Sequence, residues 1–400
     1  MDRAELSDWL RLTLASGVGN ETARKLLSAF GLPQSVFSQS TVALQQVVSA
    51  AQAAALKVEP LELASLLEVT WRWLQESGTG ADQRQILTLS DPDYPASLLN
   101  IEDPPLMLYL LGGAALPASG LTLSGVPSIA VVGSRNPTPQ GTANARQFAK
   151  ALAQAGLTIV SGLAMGVDGA AHEGALDALT PDSWRLATVA VVATGLDLVY
   201  PKKHLGLAHR VAQNGLLISE YPLGTPPLAA NFPKRNRLIA GLAQATLVIE
   251  AALRSGSLIT ARLSAEQGKD VFAIPGSIHS AQARGCHALI KQGAKLVESV
   301  QDVLEEMRIE GTASLAINSP VHRADDAELD SAGATENKLL RLLGYDPVGL
   351  DALQARCGLD TAALQALLMS FELDGLVARL PGGLFQRLIS ATAAPGWLRA

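Results

Sequence analysis

Five short segments carry residue types that grip an anion. They are Gly133-Ser134-Arg135, Ser161-Gly162-Leu-Ala-Met-Gly166-Val-Asp168, Tyr200-Pro201-Lys202-Lys203-His204, Asn231-Phe232-Pro233-Lys234-Arg235-Asn236-Arg237 and Arg254-Ser255-Gly256-Ser257. Glycine lets a backbone approach a ligand closely, and a following helix N-terminus offers unpaired N–H groups with a partial positive charge. A guanidinium such as that of Arg135 clamps a phosphate through two parallel hydrogen bonds. None of the five is a GxGxxG dinucleotide fingerprint or a GxxxxGKS/T phosphate loop. Taken in series, they offer more anion seats than one mononucleotide needs, and they suit consecutive phosphates of a chain.

Several of these residues have two readings. Asp168 either caps the helix that follows it or touches the ligand. His172, one turn later, reads as a structural histidine. Phe232 sits among three basic side chains, where an exposed ring suits a stacked base while its phosphates are neutralised. The other reading makes Phe232 a core plug and Arg235 half of an internal ion pair; stacking is the reading adopted. The six His and two Cys are scattered, so no spacing predicts a metal site, and no Ser-His-Asp arrangement predicts a nucleophile. The expectation is a binding protein with no catalytic residue, metal or cofactor.

The segments lie between strand-like and helix-like runs that must position them. IAVV (129–132), LTIVS (157–161), ATVAVVA (187–193), LLIS (216–219), TLVIE (246–250) and VFAI (271–274) each read as a buried strand. Helical patterns follow over 140–155, 169–179, 205–214, 257–267 and 286–292. Strand and helix in alternation, with strands apolar on both faces, predict an α/β, extended Rossmann-like domain with a parallel sheet over residues 81–305. Residues 1–80 read as a helical domain of helix-hairpin-helix (SAM-like) type, with Gly17-Val18-Gly19 at a turn able to offer N–H groups to a phosphate. Residues 306–334 collect Ser, Asp, Ala and Asn and read as a flexible linker. Three helical patterns and a Pro-Gly-Gly hairpin over 335–390 predict a winged-helix domain.

The formal net charge of −6 over 400 residues argues at first against a nucleic-acid partner. Divided by region, it is −2 over 1–80, +2 over 81–300 and −6 over 301–400. The acidity belongs to the C-terminal part, and the α/β region keeps its cations at strand ends, where such sheets bind ligands. The helical pattern 361–374 has no Lys or Arg and makes a poor DNA reader. Two cysteines fit a reducing, cytoplasmic setting, and no apolar run is clean enough for a membrane span.

In this order the segments resemble the DNA-processing protein A (DprA/Smf) family. The resemblance runs through DPDYPASLLNIEDPPLMLYLLG, VVGSR, SGLAMGVDGAAHEGAL, GLDLVYP, LISEYPLGT, NFPKRNRLIAGL, EAALRSGSLITA and VFAIPGSIHS, and covers residues 85–300 closely. Gln140, His204 and Ala283 depart from the family's usual Tyr, Asn and Ser. The resemblance implies a cytosolic single-stranded-DNA-binding homodimer that loads RecA recombinase in natural transformation, without catalysis. It implies strand contacts from Arg135, Lys202, Phe232, Arg235 and Arg237, with Gly133, Ser134, Ser161, Gly162, Gly166, Ser255, Gly256 and Ser257 lining the pocket. Asp168 and Asn231 complete the expected site. Leu289, Ile290, Leu296 and Val297 read either as a dimer face or as buried core. A competing expectation is a Rossmann-like nucleotide phosphoribohydrolase, which the SGSLITA run disfavours because the catalytic Glu loop of those enzymes is absent from it. A winged-helix transcription regulator is disfavoured by the cation-free helix.

Overall fold

The computed structural model describes residues 1–77, 83–113, 126–180, 186–309, 339–345 and 347–388. The chain opens with α1 (Arg3–Leu14), α2 (Asn20–Phe30), α3 (Pro33–Ser38), α4 (Thr41–Leu44), α5 (Ala50–Lys57) and α6 (Leu63–Gln75). Local chemistry starts these helices. The Asp2 side chain accepts from the Ala4 and Glu5 N–H groups, and Ser49 with Gln52 forms a capping box. Their buried faces do not close on themselves. Leu6, Trp9, Leu26 and Leu56 belong to one cluster with Tyr109, Leu163, Val192 and Val211, so the helices pack on the sheet.

The α/β part runs β1 (Gln83–Thr88), α7 (Ala96–Leu99), β2 (Met107–Gly112), β3 (Ser128–Val132), α8 (Pro139–Gln154), β4 (Thr158–Ser161), α9 (Val167–Leu176) and β5 (Thr188–Val191). It continues through α10 (Leu205–Asn214), β6 (Leu216–Ser219), α11 (Asn231–Leu242), β7 (Ala245–Val248), α12 (Ser257–Glu266) and β8 (Asp270–Ala273). Then come α13 (Arg284–Lys291), β9 (Lys295–Leu296) and α14 (Val300–Glu306). The nine strands lie in the order β1-β2-β6-β5-β4-β3-β7-β8-β9. Pairing is parallel from β6 to β9 across the sheet, and β1 and β2 add antiparallel strands at one edge.

Each of the six predicted runs forms a strand, and the alternation within them explains why. In β3, Ile129 and Val131 face the cluster built with α8 and α9, while Ala130 and Val132 face the cluster built with α11 and α12. Both faces are covered, as a parallel sheet requires. Strands β1 and β2 were not expected. MLYLLG lacks β-branched residues, so its apolar run does not by itself distinguish strand from buried helix.

The predicted linker lies outside the described residues from 310 onward, as does the start of the predicted winged-helix domain. Beyond it, helices Leu350–Cys357 and Thr361–Leu373 and a three-stranded antiparallel sheet enclose a separate small core around Leu353, Leu364, Leu368 and Phe371. This is a winged-helix arrangement. Among the described residues, no helix is long and apolar enough to cross a membrane.

Candidate nucleic-acid interface

The strand order reverses around β3. The connection after β3 leads to β4 on one side, whereas α11 leads to β7 on the other. A crevice opens at such a switch point between the carboxyl ends of the two strands. The Gly133–Arg135 loop forms one wall. It is pinned where Ser134 N–H donates to Glu250 O at 2.7 Å and Ser134 O accepts from Val167 N–H at 3.1 Å.

The helix after this loop is not free to receive a phosphate, contrary to the sequence expectation. The Glu250 carboxylate already sits at the start of α8, accepting from Thr138 N–H at 2.9 Å and the Thr138 hydroxyl at 2.6 Å. Burial pushes the Glu250 carboxyl up, and these two bonds oppose the shift. At the α12 N-terminus on the opposite wall, Ser257 N–H donates to the Ser255 hydroxyl at 3.4 Å and Leu258 N–H to Ser255 O at 3.2 Å. Beside it, the Ser255 and Ser257 hydroxyls bond each other at 2.7 Å.

Between these walls lies a cavity of about 420 Å³. The structure brings Gly133, Ser134, Arg135, Asp168, Arg235, Ser255, Gly256 and Ser257 together around it. Four more residues line it: Asn236 and Arg254, which lie within the fourth and fifth anion-gripping segments without being singled out as contacts, and Asn136 and Gln282, which lie outside all five. Arg254 was legible as the cation opening the RSGS run; nothing in the sequence marked Asn136 or Gln282.

Arg235 is only 3% exposed, although its segment reads as a polar loop. The segment instead begins α11, which drives the side chain inward, where its guanidinium donates to Val191 O. It lies against Gly162, where a Cβ would overlap it. Asp168 faces it from the first turn of α9 but does not cap that helix; its carboxylate turns back to accept from Gly162 N–H at 3.2 Å. Burial pushes the Asp168 carboxyl up, with Arg235 pulling the other way. Burial also lowers Arg235 to about 10, against the attraction of Asp168.

The loop between them is held by two histidines. Leu163 has a left-handed backbone (φ 55°), costly for a residue with a branched side chain. Its N–H donates to His172 Nε2 at 3.2 Å, and its carbonyl accepts from His204 Nδ1 at 2.9 Å. The His172 Nδ1–H donates in turn to the Thr188 hydroxyl at 2.7 Å, since that hydroxyl gives its own proton to Ile159 O. His172 is therefore structural, as expected, and burial lowers it to about 3.

Outside the cavity stands an aromatic corner. The rings of Tyr200 and Phe232 meet at 5.5 Å and 57°, and Tyr200 is 47% exposed. The Arg135 guanidinium lies 5.4 Å from the centre of the Phe232 ring, so Arg135 belongs to both the cavity and the corner. Lys202, Lys203 and Lys234 are exposed. None of the ion pairs of the described residues uses these lysines, Arg135 or Arg254.

The remaining expected site residues do not line the cavity. The Ser161 hydroxyl is buried and donates to Val131 O at 2.7 Å. Gly166, at φ 81°, lets the second loop cross against the Ser134 and Arg135 carbonyls. The Asn231 amide donates to Ala193 O at 3.3 Å. Arg237 points into the protein, bonded to Glu220 through both carboxylate oxygens at 3.0 and 2.6 Å and paired with Asp103 at 3.4 Å. Asp103 also binds Arg24 at 2.9 Å and Asn20 at 3.1 Å. The hairpin at Gly17–Gly19 thus commits its nearby Asn20 and Arg24 to the protein, and Lys25 pairs with Glu21. Val297 is core in the cluster with α8 and α9, Leu289 and Ile290 are partly buried against the cluster on the other face of the sheet, and Leu296 is 43% exposed.

The fold and crevice define a doubly wound α/β protein with an arginine-lined switch point, followed by a winged-helix module. Residues 85–308 match the family described as DNA recombination-mediator protein A, and residues 323–383 match the DprA winged helix domain. Protein Smf of Synechocystis sp. is 33% identical over 411 residues, covering 97% of this chain and 100% of that protein. DNA processing protein DprA of Streptococcus pneumoniae is 45% identical over 219 residues, covering 55% of this chain and 73% of that protein. The X-ray structure of DprA from Streptococcus pneumoniae aligns with TM-score 0.61 at 34% identity, covering 76% of this chain and 98% of that one. The chain belongs to the DNA recombination-mediator protein A family, the DprA/Smf proteins.

Proposed function

We propose that this protein binds single-stranded DNA without reading its sequence and presents the strand to RecA recombinase, acting in the cytoplasm as a homodimer and without catalysis. One observation carries the strand-binding reading: Arg135 joins a cation-lined cavity to an aromatic corner. A strand needs both surfaces, one for phosphates and one for unpaired bases, whereas a duplex keeps its bases stacked inside. Lys202, Lys203 and Lys234, exposed and in no ion pair among the described residues, add attraction along the backbone. RecA loading and dimerisation rest on the family resemblance.

The test is binding of labelled single- and double-stranded oligonucleotides across a salt series, with Arg135→Ala alongside. Losing a charge-assisted bond costs about 1.5–3 kcal/mol, so affinity for single strands falls at least roughly tenfold. The slope of log affinity against log salt falls by about 0.7 for the lost phosphate contact. Equal binding by Arg135→Ala at near-physiological salt, with folding intact, sinks the site. Equal binding of duplex and single strand sinks the strand reading. Stimulated RecA filament formation on coated strands is the expected outcome of the downstream assay.

A further inference from the structure

We infer that the cavity at the β3–β7 switch point is a seat for a phosphate monoester: a free nucleoside monophosphate or the 5′-phosphorylated end of a strand. The inference deepens the strand-binding reading and rests on it only for the strand-end source.

Charge leads to this ligand. Arg135, Arg235 and Arg254 line the cavity and are answered there by a single carboxylate, Asp168. That excess of positive charge is more than an internal phosphodiester monoanion neutralises, and it suits the dianion of a terminal phosphate. The ten-residue helix α12 points the positive end of its dipole from the facing wall, its first N–H groups already bonded to the Ser255 hydroxyl and to the Ser255 and Gly256 carbonyls.

Arg235 makes the site selective. It is 3% exposed, and its Nε is buried with no hydrogen-bond partner. A buried donor left unpaired is unfavourable until an acceptor reaches it. An internal phosphodiester carries a nucleotide on each side, whereas a terminal phosphate carries one and leaves its remaining oxygens to the arginines. The volume of about 420 Å³ holds more than a phosphate and falls in the range of small-ligand pockets.

The experiment uses the full chain and 3′-labelled oligonucleotides of one sequence, 5′-phosphorylated, 5′-hydroxyl or circular, at near-physiological salt. Deoxyadenosine 5′-monophosphate and deoxyadenosine are added as competitors and titrated directly. The phosphorylated strand is expected to bind roughly tenfold tighter than the other two, as one added charge-assisted contact predicts. The monophosphate competes and the nucleoside does not. Arg254→Gln, at an exposed position that need not disturb folding, removes the preference; Arg235→Lys keeps part of it. A strand-end preference without competition supports the strand end as the source, and competition without preference supports the free nucleotide. Absence of both, with oligonucleotides still bound, overturns the inference. If no oligonucleotide binds, strand binding itself fails, and direct titration of the monophosphate then decides the cavity: saturation by the monophosphate but not the nucleoside upholds the inference, and no binding overturns it.

Discussion

Replacing Arg237 by Ala is expected to destabilise the protein severely while acting on DNA only through folding. The Arg237 side chain is 10% exposed and that of Glu220 is 5% exposed, with two hydrogen bonds between them. Removing the cation leaves the Glu220 carboxylate buried with no compensating charge. Breaking such a pair from one side costs about 3–5 kcal/mol, much more than the pair contributes over a well-packed apolar replacement. Asp103, at 33% side-chain exposure, keeps Arg24 and reaches water, so its share is small. The loss is therefore placed mainly on Glu220. The double variant Arg237→Met with Glu220→Leu removes both charges and should recover most of the stability. Urea unfolding of wild type, single and double variants measures this, with oligonucleotide binding recorded under conditions where each is folded. A single variant of unchanged stability that no longer binds DNA would refute the argument and restore Arg237 to the interface.

Two further outcomes follow from the same geometry. Phe232→Leu and Tyr200→Leu should each weaken single-strand binding by about 1–3 kcal/mol, roughly 5- to 150-fold, while leaving an abasic strand of equal length unaffected. An equal loss on the abasic strand would mean that the rings serve the backbone and not the bases. His172, lowered by burial to about 3, makes stability fall as pH drops from 6.5 towards 3, because the unfolded chain takes up a proton that the native ring refuses. At pH 5 the cost is about 2 kcal/mol. Unfolding at pH 7 and pH 5 measures it, and a His172→Gln variant with the same acid slope as wild type would contradict the assignment.

The sequence made the sheet legible where both faces are buried. β3 to β8 are apolar runs bounded by glycine and helix signals, and their loops appear as the anion-binding segments. What escaped was set by partners remote in the chain. Nothing local distinguishes Arg235, Arg237 and Lys234, yet the helix that begins at Asn231 buries the first two and leaves the third in water. The anchor of Arg237 on Asp103 spans 134 residues, a pairing that periodicity does not reveal. Likewise, Glu250 reads as the end of a strand until α8 is folded back on it.

The continuous apolar cluster beneath the N-terminal helices also bears on how the protein can be divided. The stretch matched by the family begins at residue 85, in the middle of β1. Cutting there would bare the face of Tyr109 that meets Trp73 at 6.2 Å and strip Arg24 and Asn20 from Asp103. The shortest stretch that keeps these contacts starts at the second helix, which Asn20 opens. The recurring segment and the mechanical body are different objects, and a fragment designed from the former inherits an uncovered wall.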